Sequence, residues 1–355
     1  MVNRTNWNTS RGGDSVQMEN TAKVLRKLGV QVTYWEPTHQ FDFKQFDLIH
    51  LFNIIRPEHL MKFTNLGVPF VVSTIFVDYE EVDKLLRGNS FRAFQNIAGN
   101  DRLQYVKTLA RSVKGKSEIP NFSYLIKGQA ESISYIAKKA AMLLPNSMSE
   151  AQRFVAKYPH ETPIKVIPNG VSKEKFIHPC DNPQKDVLCV ARFEHLKNQI
   201  NLMHAIVQTD LKLTLVGDPS PNQHSYYQQC LEFAKKHPQQ IEILTQYPSE
   251  KLPELYKQYK IHILPSWFET TGLVNLEAAA AGCNVIISNR GDTHEYFGDR
   301  ADYCDPGDVA SIKNALIKVS QTPSNDTLRQ HVLQHFTWEL AAQNTLEAYQ
   351  EVLND

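Results

Sequence analysis

Short runs of β-branched and aliphatic residues alternate along this chain with stretches whose apolar positions recur every three or four residues. That alternation is the pattern of parallel α/β sheets. In the first half, residues 30–35, 47–52, 68–74, 141–145 and 164–168 read as strands. Residues 15–28 read as a helix with Ala22, Leu25 and Leu28 on one face and Gly29 ending it. A longer helical stretch, 91–139, interrupts the alternation. In the second half, 186–191, 211–217, 241–244, 261–264 and 284–288 read as strands. Helices fit between and around them at 198–208, 223–236, 249–258 and 272–281. A last helix over 338–353 follows Thr337, a residue suited to an N-cap. The turn-rich Pro168-Asn169-Gly170 separates the two patterns. The expected organisation is residues 1–170 as one Rossmann-like domain, 171–335 as a second, and 336–355 as a helix returning to the first.

Length agrees with two domains, because 355 residues exceed the ~250–300 at which single cores stop growing. Hydrophobic content of 42% and charged content of 21% are those of an ordinary globular chain. With 38 basic and 38 acidic residues, global charge points to no nucleic acid. The five cysteines (Cys180, Cys189, Cys230, Cys283, Cys304) are odd in number and widely spaced, which disfavours a disulfide framework or metal cluster. No apolar run approaches the ~18–20 residues of a membrane span, and the first eleven residues have no signal-peptide core, so a cytoplasmic location is expected. Association with the inner membrane face stays open. The stretch 92–140 carries nine Lys or Arg against three acids, which fits a solvated helical face or contact with an anionic membrane or lipid-diphosphate acceptor.

The richest segment is Leu264-Pro-Ser-Trp-Phe-Glu269-Thr-Thr-Gly-Leu-Val-Asn-Leu-Glu277-Ala-Ala-Ala-Ala-Gly282. A buried strand runs into a loop and then a helix near Gly272, whose unpaired amides and positive dipole end suit an anion. Gly272 lets backbone amides approach a phosphate without an intervening Cβ. Glu277, about a turn and a half into an Ala-rich helix, needs a partner for its carboxylate, such as a ribose diol. The bland alternative is that both glutamates are solvated surface residues. No dinucleotide-binding G-x-G-x-x-G, P-loop or D-x-D metal motif is present.

Glu269-x₇-Glu277 followed by Ala-Ala-Ala-Ala-Gly resembles the signature of family 4 ("group 1") glycosyltransferases. Three further segments resemble that family in order and spacing: Arg192-Phe-Glu-His-Leu-Lys197-Asn198, Ile167-Pro-Asn169-Gly170-Val171, and Phe336-Thr-Trp338-Glu339. The resemblance implies an α/β GT-B fold: two Rossmann-like, doubly wound domains facing across a cleft, with the C-terminal helix crossing back to the first. It implies a retaining, metal-independent hexosyltransferase using a nucleoside-diphosphate sugar (UDP- or GDP-) as substrate rather than any cofactor. Its acceptor would be a glycan or a lipid- or protein-linked hydroxyl, as in surface polysaccharide synthesis. By position, Arg192 and Lys197 clamp the diphosphate, Glu277 holds the ribose, and Glu269 meets the transferred sugar. Amides around Thr271, Gly272 and Leu273 hold the distal phosphate. Arg192, Lys197 and Glu269 are the expected catalytic residues.

In the first half, Gly12 and Gly13 resemble the family's Gly-rich loop on the donor side; an ordinary turn is the alternative. Asp14, Asn53, Arg56, Thr74 and Asp78 are candidates for the acceptor side, with turn or capping roles equally open for Asn53 and Arg56, as for Asn146 and Ser147, which resemble another segment of the family. The first strand, Met1–Arg4, looks short. The family's T-x-H-D-like segment here reads Ser73-Thr-Ile-Phe-Val-Asp78, without a histidine. These departures motivate a second class of reading, a GT-B scaffold without turnover; a nucleotide-sugar epimerase on the same fold is a third.

Overall fold

The computed structural model describes residues 1–5, 7–8, 12–38, 41–77, 105, 108, 122–178, 183–324 and 326–354. Asp78, Cys180 and most of the basic stretch before residue 122 lie outside the described residues. The chain divides into two units: Met1–Asn169 with Trp338–Asp355, and Gly170–Thr337.

The first unit begins with a single bridge, Val2 to Leu51, in place of a full strand, because four residues of mixed polarity cannot sustain a ladder. Helix α1 spans Gly13–Lys27 and buries Met18, Ala22 and Leu25. Leu28, expected on the buried face, is 47% exposed, since the helix ends one residue before it. Strand β1 (Ile49–Phe52), the short helix α2 (Pro57–Leu60) and strand β2 (Phe70–Ser73) follow. Helix α3 (Phe122–Lys139) breaks at Gly128, and strand β3 (Met142–Leu143) completes a parallel sheet in the order β1-β2-β3. Residues 30–35 do not join it as a strand. Among their ties are the Trp35 amide to Met1 O, the Met1 ammonium to Thr33 O and Arg26 Nη2 to Val32 O, outside any named strand. Residues 164–168 likewise form no named strand, meeting β3 and the residues after it through the Ile164–Leu143 bridge and the Ile167 amide to Pro145 O at 2.8 Å. Helix α4 (Met148–Lys157), which apolar spacing did not reveal, starts at Ser147, whose hydroxyl accepts the Glu150 amide at 2.9 Å.

The second unit carries a six-stranded, all-parallel sheet. Its elements in chain order are β4 (Lys185–Val190), α5 (Gln199–Ile206), β5 (Leu213–Val216), α6 (His224–Lys236), β6 (Ile241–Leu244), α7 (Leu252–Tyr256), β7 (Tyr259–Leu264), α8 (Leu273–Ala281), β8 (Asn284–Ser288), α9 (Thr293–Phe297), β9 (Asp302–Cys304), α10 (Val309–Ser320) and α11 (Asp326–His335). The strand order β6-β5-β4-β7-β8-β9 reverses direction at β4, the mark of a doubly wound sheet. Central strands are buried on both faces, as Val187-Leu188-Cys189-Val190 and Ile261-His262-Ile263-Leu264 show. One core lies to each side, the first around Leu276 and the four alanines of α8, the second around Leu202, Met203 and Leu316.

The last helix, α12 (Trp338–Asn354), belongs to the first unit and packs on α1. Its Tyr349 hydroxyl lies 2.6 Å from Nδ1 of the buried His50, whose Nε2 is 2.9 Å from Ser73 Oγ. Lys165 adds an outer tie to Glu351 at 2.7 Å. Burial, with the nearby terminal ammonium, holds His50 well below the ordinary histidine pKa, so it docks the helix as a neutral ring.

Candidate functional site

In the second unit the loops that follow β4, β7, β8 and β9 meet at the carboxyl ends of the strands, where open α/β sheets bind ligands. Asn198 ties three of them together. It takes a left-handed backbone (φ 58°), and its Nδ2 donates to Pro265 O at 3.1 Å and Pro306 O at 2.7 Å. The Trp267 amide adds a bond to Leu196 O at 2.8 Å. The β4 loop is thereby pinned to the β7 loop, and Lys197 is brought over Glu269.

Lys197 Nζ lies 2.5 Å from Glu269 Oε1, with the two side chains 19% and 8% exposed. The same oxygen accepts Ser266 Oγ at 2.7 Å. Burial opposes the charge on Lys197, but the carboxylates of Glu269 and Glu194 outweigh it and hold the pKa above the ordinary lysine value. Arg192 stands at the rim, 49% exposed and 3.9 Å from Glu194, whose other oxygen accepts Ser220 Oγ at 2.7 Å. Glu269 is also fixed through its backbone, since its carbonyl accepts the Asp292 amide at 2.8 Å beside Gly291. A Cβ on Gly291 would stand 2.0 Å from that carbonyl, and its φ of +88° suits glycine.

Helix α8 opens at Gly272 in the left-handed region (φ 65°), without a side-chain cap. The Asn275 and Leu276 amides bond back to Gly272 O, while among the described residues those of Leu273 and Val274 take no such bond. A Cβ on Gly272 would also stand 2.6 Å from Asn275 Nδ2. Thr271 has its hydroxyl 3.1 Å from Tyr296 Oη. One turn further on, the half-buried Glu277 accepts Tyr256 Oη on Oε2 at 3.2 Å. Burial pushes the Glu277 pKa up, against the charge of Lys175 and the hydrogen bond from Tyr256. Arg192, Lys197, Glu269, Thr271, Gly272, Leu273 and Glu277 therefore all lie in the β4 loop, the β7 loop or α8. Among the described residues, no group of three His, Cys, Asp or Glu is placed to hold a metal ion.

The first-unit candidates are differently employed. Gly12 caps the amino end of α1, and a Cβ there would stand 2.9 Å from Asp14 Oδ1. A Cβ on Gly13 would meet nothing within 4 Å, so close packing does not demand glycine there. Asp14 is buried and bound by Arg4 Nε at 2.7 Å and Asn53 Nδ2 at 3.1 Å. Burial opposes its charge, yet the Arg4 guanidinium, the Asn53 amide and the Ser15 N–H together hold its pKa below the ordinary aspartate value. The Thr74 hydroxyl donates to Glu150 Oε1, which also accepts the Phe76 amide at 2.8 Å. Arg56 precedes α2 and lies 4.0 Å from Glu58. The sequence pattern missed Arg4, Glu150, Ser266 and Tyr256. Only Ser266, three residues before Glu269, had a local signal.

Residues 171–332 match the family described as glycosyl transferases group 1. That match spans the second unit's loops and α8. Among relatives, the chain is 32% identical over 116 residues to the O-antigen chain mannosyltransferase B of Escherichia coli, covering 31% of this chain and 30% of that one. It is 26% identical over 246 residues to the D-inositol 3-phosphate glycosyltransferase of Paenarthrobacter aurescens (strain TC1), covering 62% and 59%. The chain thus spans about a third to three fifths of these relatives' lengths. Among solved structures, it is similar to sucrose-phosphate synthase from Thermosynechococcus elongatus, with TM-score 0.70 and 15% identity over 97% of this chain and 94% of that one. It is also similar to Anabaena HepE in complex with UDP, with TM-score 0.71 and 15% identity over 99% and 98%. At that identity the likeness speaks for the fold, which is GT-B, an α/β architecture of two Rossmann-like domains.

Proposed function

We propose that this chain is a retaining glycosyltransferase of family 4, moving a hexose from a UDP- or GDP-sugar to an acceptor hydroxyl in polysaccharide or glycoconjugate synthesis. The observation that carries the reading is the convergence of Arg192, Lys197, Glu269 and the open amides of α8 at the strand ends, with Glu277 one turn below. The group 1 match over 171–332 and the glycosyltransferase relatives agree with it.

The chemistry follows from the residue types. Breaking the bond between the sugar's anomeric carbon and the diphosphate places negative charge on the leaving oxygen. The Lys197 ammonium, the Arg192 guanidinium and the amides of Leu273 and Val274 are aimed donors for that charge, each worth roughly 3–4 kcal/mol in a transition state. With these groups in place the diphosphate has its counter-charge from the protein. The acceptor oxygen bonds the anomeric carbon on the face the diphosphate leaves, and its proton passes to the departing phosphate oxygen, so the configuration is retained. Glu269, held by Lys197 and Ser266, turns its second oxygen to the sugar hydroxyls. When the diphosphate arrives, Lys197 is shared between it and Glu269.

The test is to incubate the protein with UDP- and GDP-hexoses and methyl hexosides as acceptors, reading nucleotide release and the product's anomeric configuration by NMR. The account expects one nucleotide to be released with an α-linked product, and loss of turnover by about 10²-fold in Lys197→Ala. A β-linked product overturns retention. Turnover unchanged in Lys197→Ala overturns the assignment of that residue.

A further inference from the structure

We infer that Tyr256 is a positioning residue for the ribose of the donor, holding one oxygen of Glu277 so that the other faces the nucleotide. This rests on the proposed reading of Glu277 as the ribose ligand. It adds a residue in α7, outside both the β4 and β7 loops.

Three features place Tyr256 rigidly. It ends a short helix that starts with Pro253 near its amino terminus, and its side chain is fully buried in the core that includes Leu276 and the alanines of α8. Its ring packs edge-on against the buried His262, with centroids 5.7 Å apart. Its backbone carbonyl accepts Cys283 Sγ at 3.2 Å, tying the end of α7 to the segment just after α8. The hydroxyl leaves this fixed ring in one direction, toward Glu277 Oε2 at 3.2 Å.

Glu277 alone would be poorly held. It is half-buried and followed in its helix by four alanines, which offer no polar anchor. Among the described residues, the carboxylate takes one hydrogen bond, from Tyr256 Oη on Oε2. A carboxylate with one oxygen held by a fixed donor keeps acceptor lone pairs for a vicinal diol. The hydroxyl also acts on charge state. Burial favours the protonated acid, and donation from Tyr256, with the charge of Lys175, favours the ionised form that a diol needs. The tyrosine itself remains a donor, because burial and the adjacent carboxylate push its pKa well up.

Tyr256→Phe removes one O–H and keeps the ring packing, so it separates positioning from folding. The experiment titrates UDP, GDP and their 2′-deoxy counterparts into wild type, Tyr256→Phe and Glu277→Gln by calorimetry, between pH 5 and pH 8. Wild type is expected to favour the ribonucleotide by about 10-fold or more, on the scale of a hydrogen bond to a charged group. In Tyr256→Phe that preference falls to about 3-fold or less, and binding is lost at a higher pH on acidification, because Glu277 protonates sooner. A merely structural role would weaken both nucleotides alike and leave the pH profile in place. If Glu277→Gln abolishes the preference while Tyr256→Phe keeps it in full, the inference about Tyr256 is overturned and the ribose reading stands. If wild type shows no preference at all, the ribose reading falls and the inference with it.

Discussion

Replacing Lys197 by methionine strands a buried carboxylate, and the structure sets the size of the effect. The ammonium lies 2.5 Å from Glu269 Oε1, with the side chains 19% and 8% exposed. At an effective dielectric of about 20, that separation corresponds to ~7 kcal/mol of Coulombic attraction, much of it offset by desolvating both ions. Removing one partner of a fully buried pair typically costs about 3–5 kcal/mol. Here Lys197 retains some access to water, and Ser266 still donates to Glu269. The expected loss is therefore ~2–3 kcal/mol, confined to the second unit. Adding Glu269→Gln to Lys197→Met removes the stranded charge and recovers most of the loss, a pairwise coupling that independent sites would not show. Hydrogen exchange read by mass spectrometry on peptides from β4 and β7 measures this locally, as a fall in protection of roughly 30- to 150-fold in the single variant. Protection within 2-fold of wild type in Lys197→Met would refute the reasoning, as would a double variant no better than the single one.

Gly291→Ala forces a Cβ to 2.0 Å from the Glu269 carbonyl at a φ of +88°. It should cost at least ~2 kcal/mol and displace Glu269, and an unchanged Tm with unchanged nucleotide affinity would contradict it. Burial lowers the pKa of His50 well below the ordinary value and that of His262 to about 3. Below the ordinary histidine range the unfolded chain therefore binds protons that the folded chain refuses. Stability should fall as pH drops through about 6.5, by up to ~1.4 kcal/mol per pH unit for each histidine. Urea midpoints measured from pH 8 to pH 5 check this, and a flat profile would refute it. Ser147→Ala deletes the cap of α4 and should lower stability by ~1 kcal/mol, read from the urea midpoint of the first unit.

The second unit was readable because its strands are buried on both faces and its chemistry is local. Val187–Val190 and Ile261–Leu264 are uninterrupted apolar runs, and Glu269 and Glu277 share one strand-loop-helix segment. Strand β9 escaped because Asp302-Tyr303-Cys304 is three residues at the sheet edge, with little apolar signature. Residues 30–35 misled for the opposite reason, having β-branched composition while Met1 bonds alongside them and, among the described residues, no named strand forms there. The first unit's polar framework is long-range. Glu150 meets Thr74 across 76 residues, and Asn53 meets Asp14 across 39, so nothing near either residue announces the partner. The partner of the Thr74 hydroxyl sits on a helix that the pattern did not reveal. Tyr256 was invisible as a site residue because a buried aromatic at the end of a helix has the signature of core packing.

The most direct test of the account is calorimetric titration of UDP, GDP and ADP into wild type and Glu277→Ala. The account predicts that one of the three binds wild type and is weakened by about 10-fold or more in the variant, on the scale of hydrogen bonds to a charged carboxylate. No binding of any of the three to wild type at millimolar concentration would contradict it, as would equal affinity in the two proteins.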